Sequence, residues 1–116
     1  MEYQGIADIL KILGNDTRLS MIAILLLKNS NVGEFSEILD ISQPCISHHL
    51  RILKNADLIT ENRKGLWNVY SINSQNIYFP LVKDILSYFP SQGGKTGLVG
   101  ETGIANYLRL IKTTFN

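Results

Sequence analysis

Gln43, Ser47, His48, Arg51 and Lys54 fall in one short stretch that mixes amide, hydroxyl, imidazole and cationic side chains. Placed at helical 100° intervals, Pro44, Ser47, His48, Arg51 and Asn55 share one face, and Ile46, Leu50 and Leu53 share the opposite one. The polar face carries no carboxylate, as a surface meeting phosphates and base edges requires. Gln43 and Ser47 suit hydrogen bonds to base edges, glutamine most naturally to adenine. Arg51 suits guanine or a phosphate, His48 suits either partner, and Lys54 is a lesser phosphate candidate. A second cationic pair, Arg63 and Lys64, stands directly before Gly65, placed to hold phosphates or probe an adjacent minor groove. Cys45 is the only cysteine. A thiol in the first turn of a helix is open to activation by the helix dipole, which makes Cys45 a candidate redox switch, with His49 one turn on. The simpler reading of Cys45 is a small, half-buried residue on the helix flank.

These residues sit on a chain of 116 residues with a net charge of +1, enough for one modest core and far from a generic polycation. The charge is uneven. Acidic residues outnumber basic ones up to Asp40, and the balance turns positive through Arg51, Lys54, Arg63 and Lys64. A local basic patch on a near-neutral body fits docking of one face on phosphates. A lone cysteine excludes an intrachain disulfide, the N-terminal residues lack the pattern of a signal peptide, and the apolar run 21–27 is too short to span a bilayer. The expected location is the cytoplasm, with no membrane partner.

The positioning elements follow from apolar spacing. Ile6, Ile9, Leu10 and Leu13 predict a first helix, closed by Gly14 and Asn15. Asp16 is the expected N-cap of a second helix over 17–28, which is apolar on most sides. Asn31 and Glu34 have capping-box spacing ahead of a third helix with Val32, Phe35, Ile38 and Leu39 inside. A tight connection at Asp40 and Ile41 leads to Ser42, the cap of the fourth helix, where Pro44 is tolerated in the first turn. Residues 59–62 and 67–72 are strand-like around Gly65. Tyr78, Leu81, Val82, Ile85, Leu86 and Phe89 predict a helix within 74–89, with Pro80 as a kink or in its first turn. A glycine-rich linker and a short final helix are expected over 91–116, after a principal domain over 1–90. The fold class is mostly α with a small β-hairpin: a winged helix-turn-helix, α-α-α-α-β-β-α plus a short C-terminal helix.

From Leu10 to Ile72 the chain resembles the ArsR/SmtB family of small winged-helix repressors. The resemblance runs through Leu13-Gly14-Asn15-Asp16-Thr17-Arg18-Leu19, the segment 32–39, the segment 41–53, Ala56-Asp57-Leu58-Ile59 and the wing 63–70. It implies a homodimer on an inverted-repeat DNA operator, with the fourth helix in the major groove. It also implies a dimer interface built from segments 6–13 and 78–89, and the wide apolar stripes of both favour a partner surface. One departure is Leu66, where the family usually has a basic residue after the wing glycine.

The family's metal sites have no matching ligands. Its thiolate positions correspond to Asn31 and Gly33, and its zinc positions to Ser74, Asn76, Leu86 and Pro90. No cofactor or metal is expected. The segment Gly93-Gly94-Lys95-Thr96 lacks the earlier glycine of a phosphate-binding loop, since Phe89 stands there. No nucleophile, base and acidic orienter converge, so an enzyme is not expected. The remaining rival is a winged-helix module that binds protein instead of DNA.

Overall fold

The computed structural model describes residues 3–88. The expected linker and final helix over 91–116, together with Phe89 and Pro90, lie outside the described residues. The element order is α1 (Tyr3–Leu13), α2 (Asp16–Leu27), α3 (Val32–Leu39), α4 (Gln43–Asn55), β1 (Ile59–Lys64), β2 (Trp67–Ile72) and α5 (Phe79–Leu86).

Helix α2 supplies the centre of the core. Ser20, Met21, Ile22, Ala23, Ile24 and Leu25 are all buried in succession, so the helix is covered on nearly every side along that run. Phe35 from α3, Ile46, Leu50 and Leu53 from α4, Ile59 from β1, and Val82 and Leu86 from α5 close around it. Burial of each large apolar side chain contributes about 1.5–3 kcal/mol. The cap of α2 differs from expectation by one residue. Asn15 has extended backbone angles and its side chain accepts from the Arg18 amide, while Asp16 is already inside the helix. An acid in the first turn still faces the positive end of the dipole, so Asp16 stabilises the same terminus by another route.

The α3–α4 unit is held by hydrogen bonds at both edges of its turn. Asn31 and Glu34 form the reciprocal capping box that opens α3. Asp40 ends α3 in the left-handed region at φ 55° and ψ 49°, Ser36 Oγ donates to the Ile41 carbonyl at 2.6 Å, and Ser42 accepts from the Cys45 amide to open α4, with Pro44 in the first turn. The unit therefore enters α4 at a fixed angle.

The hairpin is antiparallel, in register from Ile59 opposite Ile72 to Lys64 opposite Trp67. That leaves Gly65 and Leu66 as a two-residue loop. Gly65 carries φ +62°, as the first loop residue of a type II′ turn requires. Ser30, between α2 and α3, bridges to Tyr70 through paired backbone bonds of 3.1 and 2.8 Å, so the hairpin is anchored to the helical body.

Helix α5 starts at Phe79, later than the apolar stripe suggested, with Pro80 in its first turn. The side chains of Asn73 and Asn76 hold the preceding turn: they accept from the Gln75 and Tyr78 amides, and both donate to the Asp57 carbonyl at 2.9 Å. These local bonds compete with helix formation and win over residues 73–78.

Candidate nucleic-acid interface

The inner stripe of α4 is sealed, with Ile46, Leu50 and Leu53 at 1% exposure or less. That burial turns Gln43, Ser47, His48, Arg51 and Lys54 outward, all of them exposed. Arg51 Nη2 lies 3.1 Å from His48 Nδ1. In this arrangement the guanidinium donates and the imidazole nitrogen accepts. Arg51 and His48 thereby form one joint polar surface one turn apart.

His49 faces the other way. It is half-buried, and its Nδ1 lies 3.2 Å from Arg18 Nη1. Arg18 Nε donates to the Ile12 carbonyl at 2.7 Å, and the Arg18 amide donates to Asn15. Arg18 therefore ties the end of α1, the start of α2 and the middle of α4 together. Burial, then the charges of Arg18 and His48, hold the His49 imidazole below its ordinary value, against an opposing pull from Asp16. Nothing singled Arg18 out in the sequence beyond its place in the family motif, because its partners lie on other helices.

Cys45 is exposed, which corrects the half-buried reading. Its position on the α4 flank leaves it outside the core, and the His49 nitrogen that faces the body is already bonded to Arg18.

Lys54 is placed differently from the other cations of α4. Its Nζ lies 2.6 Å from Glu61 Oε1 on β1. Tyr70 Oη donates to the other carboxylate oxygen at 3.0 Å. Glu61 is held below the ordinary carboxyl value, first by the hydrogen bond from Lys54. Tyr70 is pushed up to about 12, first by burial and then by Glu61, and so remains a donor at neutral pH. The three residues join α4 to the hairpin across a crevice of about 210 Å³ that Ser47, Leu50, Arg51 and Asn55 also line. The clamp was readable in principle: a two-residue turn at Gly65 places Glu61 opposite Tyr70 on one face.

At the hairpin tip Arg63 and Lys64 are exposed. Arg63 Nε donates to the Gly65 carbonyl at 2.9 Å, which holds the guanidinium beside the turn. The fold thus brings Gln43, Ser47, His48 and Arg51 onto one helix face and sets Arg63 and Lys64 on a separate projection.

Residues 15–61 match the model of the bacterial regulatory protein arsR family. Over 67 residues the chain is 37% identical to the transcriptional repressor SdpR of Bacillus subtilis, covering 58% of this chain and 74% of that protein. The chain belongs to the ArsR family. It is 31% identical over 84 residues to the arsenical resistance operon repressor of the same organism, covering 72% of this chain and 80% of that repressor. Among solved structures, the transcriptional repressor BigR from Xylella fastidiosa superposes with a TM-score of 0.68 at 24% identity, over 78% of this chain and 89% of that one. A homodimeric winged helix-turn-helix DNA-binding domain from Mycobacterium bovis gives 0.62 at 23% identity, over 72% and 80%. These two likenesses show the fold. This ArsR-family chain is a DNA-binding transcriptional regulator and not an enzyme.

Proposed function

We propose that this ArsR-family repressor acts as a cytoplasmic homodimer on an inverted-repeat operator and works without the family's usual metal sites. The observation that carries the reading is the exposed face of α4, where Gln43, Ser47, His48 and Arg51 stand together without a carboxylate. Gln43 and Ser47 read base edges, Arg51 and His48 take a guanine edge or a phosphate, and Arg63 and Lys64 on the wing hold backbone phosphates. Lys54 acts through Glu61, fixing the wing to the helix. Phosphate contacts set affinity and base contacts set sequence choice.

The proposed dimer surface uses α1 and α5, as residues 6–13 and 78–89 suggest, with Phe89 outside the described residues. Leu10 on α1 is 49% exposed and Tyr88 is 78% exposed. A separate open groove of about 630 Å³ lies between α1 and the end of α4, lined by Ile9, Ile12, Ile52 and Tyr78. Gly5 lets α1 approach closely here, since a Cβ at this position would collide with the Tyr78 hydroxyl. The homodimeric M. bovis domain is in keeping with such an assembly.

The metal-free reading rests on what the residues at the family's ligand positions do instead. Asn31 is consumed in the capping box of α3, Asn76 donates to the Asp57 carbonyl, and Leu86 is buried in the core.

The test is selection of bound fragments from random DNA, followed by binding measurements across salt concentrations. An inverted repeat with half-sites about 34–36 Å apart is expected. Arg51, Arg63 and Lys64 from two protomers give a slope of log affinity against log salt of about −5, at about 0.9 per phosphate contact. Recovery of no preferred sequence, or a salt-insensitive complex, would overturn the proposal.

A further inference from the structure

Leu66 and Trp67, at the apex of the wing, are 86% and 63% exposed. Two large apolar side chains at the far end of a hairpin contribute nothing to the core. Their surroundings are specific. Arg63 is tied to the Gly65 carbonyl and Lys64 pairs across the ladder with Trp67, so two cations flank the apolar pair. From Arg63 to Ile72 the wing has no acidic residue, and the nearby Glu61 is taken up by Lys54 and Tyr70.

We infer that Leu66 and Trp67 form an apolar apex that enters the DNA minor groove, with Arg63 and Lys64 as its phosphate anchors. The inference rests on the operator-binding reading above and adds a contact to it. An apolar tip inside a basic collar calls for a partner that is anionic at its rims and apolar at its floor. The minor groove meets this description: phosphates line its edges, and deoxyribose carbons and base edges line its interior. It is about 6 Å wide, and a hairpin with strands about 4.8 Å apart exceeds that once atomic radii are added, so side chains at the turn can enter where the ribbon cannot. Apolar side chains at such positions press between base steps and favour sequences that open easily. Leu66 and Trp67 thereby become specificity-determining residues outside the recognition helix.

Trp67 is the only tryptophan of the chain, so its emission reports on the apex directly. The experiment titrates full-length protein with its selected operator while following tryptophan emission and, in parallel, gel mobility. Leu66→Lys and Leu66→Ser are tested alongside, with thermal melts as the folding control. The apex reading expects a change in Trp67 emission that saturates with the gel-shift. It also expects about fivefold to tenfold weaker binding for both variants, the scale set by returning much of a leucine to water. A wing acting by charge alone expects the opposite sign for Leu66→Lys: tighter binding and a salt slope steeper by about 0.9 per protomer, about 1.8 for the dimer. Operator binding with unchanged emission and a strengthened Leu66→Lys overturns the inference and leaves the operator reading intact. Emission that changes with protein concentration without DNA overturns it in favour of a protein-contact surface. Failure to bind any preferred DNA overturns both.

Discussion

Replacing Lys54 by alanine separates two roles that are easily confused for a cation on a recognition helix. Lys54 Nζ lies 2.6 Å from Glu61 Oε1, with the two side chains 52% and 23% exposed. A pair so open to solvent is worth about 0.5–1 kcal/mol. For a domain of this size that corresponds to a fall of about 2–8 °C in Tm. The effect on DNA is expected to be small, because the charge of Lys54 is already neutralised by Glu61 before DNA arrives. Arg51 has no acidic partner among the described residues, and Arg51→Ala should flatten the salt slope by about 0.9 per protomer. Lys54→Ala should flatten it by well under half as much. The assay is fluorescence anisotropy with labelled operator over a fourfold range of salt, beside thermal melts of both variants. An internal control comes from pH. Glu61 is held below its ordinary value of 4.5, so the bridge contributes fully above that value and is lost as pH falls through the lowered one. The difference in Tm between wild type and Lys54→Ala should close over that window. If Lys54→Ala flattens the salt slope as much as Arg51→Ala and leaves Tm unchanged, the clamp assignment is wrong.

Two further outcomes bear on other parts of the fold. The depressed His49 pKa means that the folded state resists a proton which the unfolded chain accepts near 6.5. Stability is therefore full above that value and falls as pH drops through it towards the folded pKa. Melts across this range should show the loss in wild type and not in His49→Gln, and equal pH profiles would remove His49 as its source. Asp57 sits at φ 64°, so Asp57→Val should cost about 1–2 kcal/mol while Asp57→Gly costs nothing. Urea midpoints at unchanged m-value decide this, and a neutral Asp57→Val would argue against strain at the turn.

The sequence carried those features whose signals are local. Apolar spacing located the four N-terminal helices, Asn31 with Glu34 marked a real capping box, and Gly65 marked the hairpin turn. The outward face of α4 followed from the inward face. Features that depend on contacts between elements were less visible. Apolar spacing places the start of α5 too early, because the periodicity continues through a turn that Asn73 and Asn76 hold by side-chain bonds to Asp57. The role of Arg18 has no local signal, because it meets His49 only after α2 and α4 pack. Lys54 looked like another phosphate contact because its partner, Glu61, lies across a turn on β1. The exposure of Cys45 depended on how α4 rolls against the core, which its flank position left open.

Tyr70 has a consequence for operator geometry. Its backbone is bonded to Ser30, and its hydroxyl leads through Glu61 to Lys54 on α4. The wing is thus braced at both its root and its flank, and the helix and the apex form a rigid caliper of fixed span. On the operator reading proposed above, such a caliper would measure distance along DNA as well as read its bases. Inserting one base pair between the major-groove and wing contacts moves them about 3.4 Å apart along the axis, and a braced wing cannot follow. Within each half-site, spacing should be as stringent as sequence. Loosening the brace with Tyr70→Phe should relax that stringency before it abolishes binding.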